Sequence, residues 1–181
     1  MVTVISSSNR SQGKGLIFAK HFHNLMNDRL GGDEVRFLSL ELLPTDMNNP
    51  GMYKEGGQHP AVGAIQDTYL LPAEKWLFVV PEYNGSFPGI LKFFLDACSV
   101  RKYAETFKGK KVALVGVGSG RGGNIRGMEH LTGILNYLGM NVMPHKLPIS
   151  GISNLMDEND AITDAETLKT MAEFVDSFLQ F

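Results

Sequence analysis

Short apolar runs alternate with amphipathic stretches along the whole chain. Val2–Ser6, Glu34–Leu40, Trp76–Val80, Lys111–Gly116 and Met140–His145 read as strands. The run Trp76-Leu77-Phe78-Val79-Val80 holds no polar position, which suits a strand buried on both faces. Helical spacing fills the intervals. Leu16–Arg29 puts Leu16, Phe18, Ala19, Phe22 and Met26 on one broad face and stops at Gly31-Gly32. Gln58–Leu70 carries Pro60 in its first turn and Pro72 just past its end. Ile90–Cys98 gathers Ile90, Leu91, Phe94, Leu95 and Cys98 on one side, and Asn124–Leu138 closes at Gly139. The last helix opens on Thr163-Asp164-Ala165-Glu166, a capping-box pattern led by Thr163. Its buried face is Leu168, Met171, Ala172, Val175, Phe178 and Leu179.

This alternation predicts one α/β domain over residues 1–181, a three-layer, doubly wound sheet of five parallel strands in the order 2-1-3-4-5. In that order the first, third and fourth strands are central, so their exit loops meet on one edge. Those loops, Ser7–Gly15, Pro81–Gly89 and Val117–Gly123, are also the turns richest in Gly, Ser and Asn. Open α/β sheets bind ligands at this edge. The segment Leu40–Gly57, with Pro44, Asn48-Asn49-Pro50-Gly51 and Gly56-Gly57, is full of breakers and reads as a lid or subunit-contact loop. Met47, Met52, Tyr53 and Tyr103 are its expected exposed contact residues, with Tyr103 outside the segment.

Composition narrows the function classes. A formal net charge of −2 lacks the basic excess that nucleic-acid or polybasic membrane binding needs. No apolar run reaches the roughly 18–20 residues of a bilayer span. The single cysteine, Cys98, rules out an intrachain disulfide framework and fits a reducing compartment. The N-terminus reads as a strand and not as a secretory leader, so the expectation is a cytoplasmic protein. His21, His23, His59, His130 and His145 show no metal-ligand spacing, and no metal is expected. Asp157–Asp160 lacks the spacing and glycine of a calcium loop and reads as a solvated turn. Cys98 lies on an apolar helix face and reads as packing.

Each of the three loops has its own chemistry. In Ser6–Gly15, hydroxyls, backbone amides and a helix N-terminus converge, and Arg10 adds a planar fork matched to phosphate. The candidate anion ligands are Ser8, Arg10, Ser11, Gln12 and Gly13; the alternative is a solvated cap of the first helix. The loop is not a nucleoside-triphosphate loop, because Ser8 replaces the first glycine and Gly15 the metal-binding hydroxyl. Pro81-Glu82-Tyr83-Asn84-Gly85-Ser86 joins an aromatic face to amide groups in a rigid turn, suited to a flat heteroatom-rich ligand; alternatively it is an ordinary strand-to-helix turn. Glu82 stands without a visible carboxylate partner and reads as a surface group. Gly116–Gly123 contains G-x-G-x-x-G, a weak signal after a fourth strand. Ser119, Gly120, Arg121, Gly122 and Gly123 there offer backbone donors to a ring edge, or form a flexible turn.

The stretch Pro81-Glu-Tyr-Asn-Gly-Ser-Phe-Pro-Gly-Ile-Leu-Lys92, continuing to Leu95-Asp96, resembles the NAD(P)H-dependent FMN reductases of flavodoxin-like fold, which include quinone, chromate and azo-dye reductases. Ser8 and Arg10 resemble that family's phosphate-loop serine and arginine, and Ser119, Gly120, Gly122 and Gly123 its glycine loop at the pyrimidine end of the flavin. The layout agrees over nearly the whole chain. The resemblance departs at Gly13, where the family commonly has a serine, and the third loop is a residue or two short.

The resemblance implies noncovalent FMN, NAD(P)H as co-substrate, a small-molecule electron acceptor, ping-pong turnover and a homodimer or homotetramer. The flavin carries the chemistry, so no catalytic side chain is expected. Backbone donors at Tyr83, Asn84 and Gly120 are the expected stabilisers of negative charge on the ring. Arg121 or Arg10 is a candidate for a nicotinamide cofactor's 2′-phosphate. The competing readings are a flavodoxin-type electron carrier, a flavin-binding module without turnover, and a hydrolase. The mild charge disfavours the first, and the lack of a G-x-S-x-G elbow the last.

Overall fold

The computed structural model describes residues 1–181. Its strands are β1 (Val2–Ser6), β2 (Val35–Ser39), β3 (Lys75–Pro81), β4 (Lys111–Val117), β5 (Asn141–Val142) and β6 (Leu147–Ile149). Its α-helices are α1 (Lys14–Leu30), α2 (Pro60–Ile65), α3 (Gly89–Ser99), α4 (Tyr103–Phe107), α5 (Ile125–Tyr137) and α6 (Ala165–Gln180). The central sheet is parallel, in the order β2-β1-β3-β4-β5, with β6 also on β4. In register, Ser6 ends β1 beside Ser39, the end of β2, and beside Val79 of β3, which runs on to Pro81 beside Val117, the end of β4.

Both faces of the sheet are covered, as the unbroken apolarity of β3 requires. Alternate residues of a strand point to opposite faces. Trp76, Phe78 and Val80 pack with Leu91, Phe94 and Cys98 of α3 and with Met128, Leu131 and Leu135 of α5. Leu77 and Val79 pack with Phe18, Phe22 and Met26 of α1 and with Met171, Phe174 and Phe178 of α6. Burial also pushes the Cys98 thiol well above its ordinary range, so this cysteine is a packed, protonated core residue.

Four local expectations are corrected. The fifth strand, expected over Met140–His145, is two short pieces, β5 and β6, interrupted at Met143–Lys146. Pro144 and Pro148 lack the N–H that a continuous edge ladder uses. The helix expected over Gln58–Leu70 is α-helical only to Ile65 and continues as a π-helical turn, Gln66–Leu70. At the start of that turn Gln66 is fully buried. Its amide donates to the carbonyls of Cys98 (3.1 Å) and Arg101 (2.7 Å), and its oxygen accepts from Gln58 (2.8 Å). The cap of α6 is Asp164, not Thr163: its carboxylate accepts from the Thr167 amide at 2.8 Å. That bond and the Thr167 side chain hold the Asp164 carboxyl below the usual range. Finally, Met47 and Met52 are not exposed. They are buried and anchor the 40–57 segment, leaving Leu42 and Tyr53 as its exposed apolar side chains. No helix is long and apolar enough to cross a membrane.

Candidate functional site

The exits of β1, β3 and β4 line one cavity of about 580 Å³, within the range of roughly 300–1,000 Å³ usual for ligand sites. The β1 exit contributes Ser8, Arg10, Gln12 and Gly13. The β3 exit contributes Pro81, Glu82 and Tyr83, and the β4 exit Gly118, Ser119 and Gly120. Neighbouring parallel strands that end close together bring these residues, distant in sequence, to one edge.

Loop 1 is organised around a hydroxyl. Ser8 Oγ accepts from the Arg10 amide at 3.1 Å and lies 2.8 Å from the Tyr83 hydroxyl, 75 positions away. The amides of Ser8, Asn9, Ser11 and Gln12 make no hydrogen bond within the chain. The N-cap of α1 is Gly13, which has no side chain to cap it, and no carboxylate lies in the first turn. Free amides, an uncapped helix N-terminus and the Arg10 guanidinium make a surface for an anion.

Loop 2 is a two-residue hairpin. Tyr83 and Ser86 exchange backbone bonds at 2.9 and 3.0 Å across Asn84 and Gly85, which hold φ of 51° and 79°. Positive φ at both central positions is the type I′ requirement that Asn-Gly meets best. The hairpin consumes the Tyr83 amide, so the free donors of this loop are Asn84 and Gly85. Ser86 Oγ lies 3.0 Å from Nδ1 of His130, tying the hairpin to α5.

Loop 3 is held from beneath by Asn124. This buried residue, at φ 60°, donates from Nδ2 to the Val80 carbonyl at 2.9 Å. Its Oδ1 accepts from the Gly127 amide at 3.2 Å and caps α5. Gly123 packs on the backbone of Pro148 and Ile149, and a Cβ on Gly116 would overlap the Gly123 carbonyl. These contacts press loop 3 onto β4 and β6. The Gly118 amide donates to Ile149, and the amides of Ser119, Gly120 and Arg121 have no partner within the chain.

Of the residues singled out in the sequence, Ser8, Arg10, Gln12, Gly13, Pro81, Glu82, Tyr83, Ser119 and Gly120 line the cavity. Ser11, Asn84, Gly85, Ser86, Arg121, Gly122 and Gly123 sit on the same loops but outside its wall. Lining residues from outside the three loops also escaped the sequence reading, among them Ser39 at the end of β2 with Glu41 just after it, and Ile152 and Ser153 after β6. The first pair was within reach, since the order 2-1-3-4-5 sets the exit of β2 beside that of β1. The second pair depends on β6, which carries no strand signal because Pro148 occupies its middle. Asn124 had no signal beyond its place before a helix.

The donor set fits FMN. The free amides and Arg10 of loop 1 have the chemistry for its phosphate, and the free amides of loop 3 with the Tyr83 side chain have that for its flat ring.

Comparison with known proteins agrees. Residues 1–153 match the NADPH-dependent FMN reductase family. An NAD(P)H-dependent FMN reductase of Pseudomonas aeruginosa is 34% identical over 134 residues, covering 70% of this chain and 69% of its own length. A 2-hydroxy-1,4-benzoquinone reductase of a Burkholderia species is 31% identical over 120 residues, 66% of each chain. The matched stretch thus spans about two thirds of these relatives. The structure of FerB, a flavoenzyme NAD(P)H:(acceptor) oxidoreductase from Paracoccus denitrificans, superposes with a TM-score of 0.79 at 23% identity, covering 99% of this chain and 94% of that one. With its flavodoxin-like sheet and a family match over residues 1–153, the chain belongs to the NADPH-dependent FMN reductases, oxidoreductases that use FMN and NAD(P)H.

Proposed function

We propose that this protein binds FMN noncovalently in the cavity at the ends of β1, β3 and β4 and uses NAD(P)H to reduce a small acceptor of the quinone, azo, chromate or flavin class. One observation carries this reading: free backbone donors of loops 1 and 3 meet at one cavity beside an uncapped helix N-terminus, an arginine and the Tyr83 side chain of loop 2. Bound FMN would supply the electron-transfer chemistry that no side chain here offers. The residues supply binding and electrostatics. Ser8, Arg10, Ser11, Gln12 and Gly13 hold the phosphate, by hydroxyl, guanidinium and amide donors. Pro81–Ser86 and Ser119–Gly123 flank the ring, and the free amides of Asn84 and Gly120 offset negative charge on it. Tyr83 closes the cavity between loops 1 and 2.

A single cavity of this size admits reductant and acceptor in turn. Steady-state kinetics therefore follow a ping-pong pattern, with parallel double-reciprocal lines. The exposed Leu42, Tyr53 and Phe93 support a homodimer or homotetramer, since Asn48 of the 40–57 segment reaches the Phe93 carbonyl of α3 and joins the two surfaces. The test is the visible spectrum of the protein with FMN under anaerobic conditions. NADPH should bleach the flavin band and a quinone should restore it. Protein that leaves added FMN free, or bound FMN that NADPH never bleaches, would overturn the proposal.

A further inference from the structure

Ser8 Oγ has one proton to donate and two lone pairs to accept with. The Arg10 amide donates to one lone pair at 3.1 Å. The Tyr83 hydroxyl stands 2.8 Å away, and either oxygen of that pair can be the donor. An anion in loop 1 removes the ambiguity, because a phosphate oxygen accepts and Ser8 must turn its proton toward it. The Tyr83 proton then points to the second lone pair of Ser8, its one acceptor within the chain. Tyr83 is half-buried and makes no other side-chain hydrogen bond.

We infer that the Tyr83 hydroxyl is a positioning residue of the phosphate site. It donates to Ser8 Oγ and so makes the Ser8 proton an obligate donor to an anion in loop 1. The same pair of donors strengthens that bond, since each hydrogen bond in a chain polarises the next. Tyr83 thus belongs to two places: its ring lines the cavity between the loops, while its hydroxyl reaches over loop 1 and favours a phosphorylated flavin over a bare one. No bond is made or broken; only the proton orientation changes. The inference rests on the FMN reading of the cavity.

The test compares FMN with riboflavin, which lacks the phosphate, by fluorescence quenching on the flavin-free protein. The chains are the unsubstituted protein, Tyr83→Phe, Ser8→Ala and the double variant. Tyr83→Phe should weaken FMN about threefold to tenfold, the worth of one ordinary hydrogen bond, and leave riboflavin within about twofold. In the Ser8→Ala background the same substitution should no longer alter the FMN-to-riboflavin ratio, because its effect passes through Ser8. Thermal melting of all four chains reports whether each is folded. An unchanged ratio in Tyr83→Phe, or an equal change in both backgrounds, would overturn the inference and leave the FMN reading standing. Failure of the unsubstituted protein to bind either flavin would overturn both.

Discussion

Asn124→Ala is the substitution that best connects the packing beneath the site to its shape. Asn124 is buried at a left-handed φ, and its two side-chain atoms serve two buried backbone groups. Alanine removes the cap of α5, worth about 1 kcal/mol. It also removes one of two donors to the Val80 carbonyl, which keeps its ladder bond in the β3–β4 pairing, a loss of about 0.5–1.5 kcal/mol for an ordinary hydrogen bond. Alanine further lacks the tolerance of asparagine for this backbone region, which adds about 1 kcal/mol. Together these terms come to about 3 kcal/mol. In a chain of this size that corresponds to a fall in Tm of about 6–12 °C. Urea unfolding followed by circular dichroism measures it.

Asn124→Gly separates the terms. It loses both hydrogen bonds but regains the backbone tolerance, and should be less destabilised than alanine by about 1 kcal/mol. Asn124→Asp keeps the acceptor for Gly127 but faces a carboxylate toward the Val80 carbonyl, and should be no more stable than the glycine variant. A loss below about 0.5 kcal/mol in Asn124→Ala, the range of an ordinary surface change, would refute the role of this side chain.

Three further predictions concern separate regions. Arg10→Ala should weaken FMN by about 1.5–3 kcal/mol, the size of a charged hydrogen bond, and spare riboflavin; equal FMN affinities by titration would remove Arg10 from the phosphate site. Gly116→Ala should displace loop 3, since its Cβ would overlap the Gly123 carbonyl and crowd Met128; a melting temperature and FMN affinity both unchanged would refute the close approach. His21 and His23 have pKa values lowered by burial, so the unfolded chain takes up protons first. Their contribution is present above the unfolded pKa of about 6.5 and is lost as pH falls through the lower folded values. His21→Gln should flatten the decline of stability below that pH, and an identical pH profile would contradict the assignment.

How far the sequence reaches is visible in particular elements. Trp76–Val80 announces a doubly covered central strand because every position is apolar, and the structure buries all five. Once β3 is central, the glycine- and serine-rich loops after β1, β3 and β4 must share an edge. The register sets the end of β1 beside Val79, near the shared end of β3 and β4 at Pro81 and Val117. The failures have two causes, a one-residue shift at a helix start and contacts that lie far away in sequence. Asp164 outcompetes Thr163 because the chain enters α6 one residue later than the capping pattern suggests. Met47 and Met52 sit in a breaker-rich segment that reads as surface, yet both are buried, Met47 within the core that covers α3. The link between Ser8 and Tyr83 spans 75 positions, and no local pattern encodes it.

The account stands or falls on where FMN lies. A crystal structure of the protein soaked in FMN should show the phosphate against the amides of Ser8–Gln12 and the ring between Pro81–Ser86 and Ser119–Gly123. Flavin density elsewhere on the molecule, or an unliganded edge at saturating FMN, would contradict it.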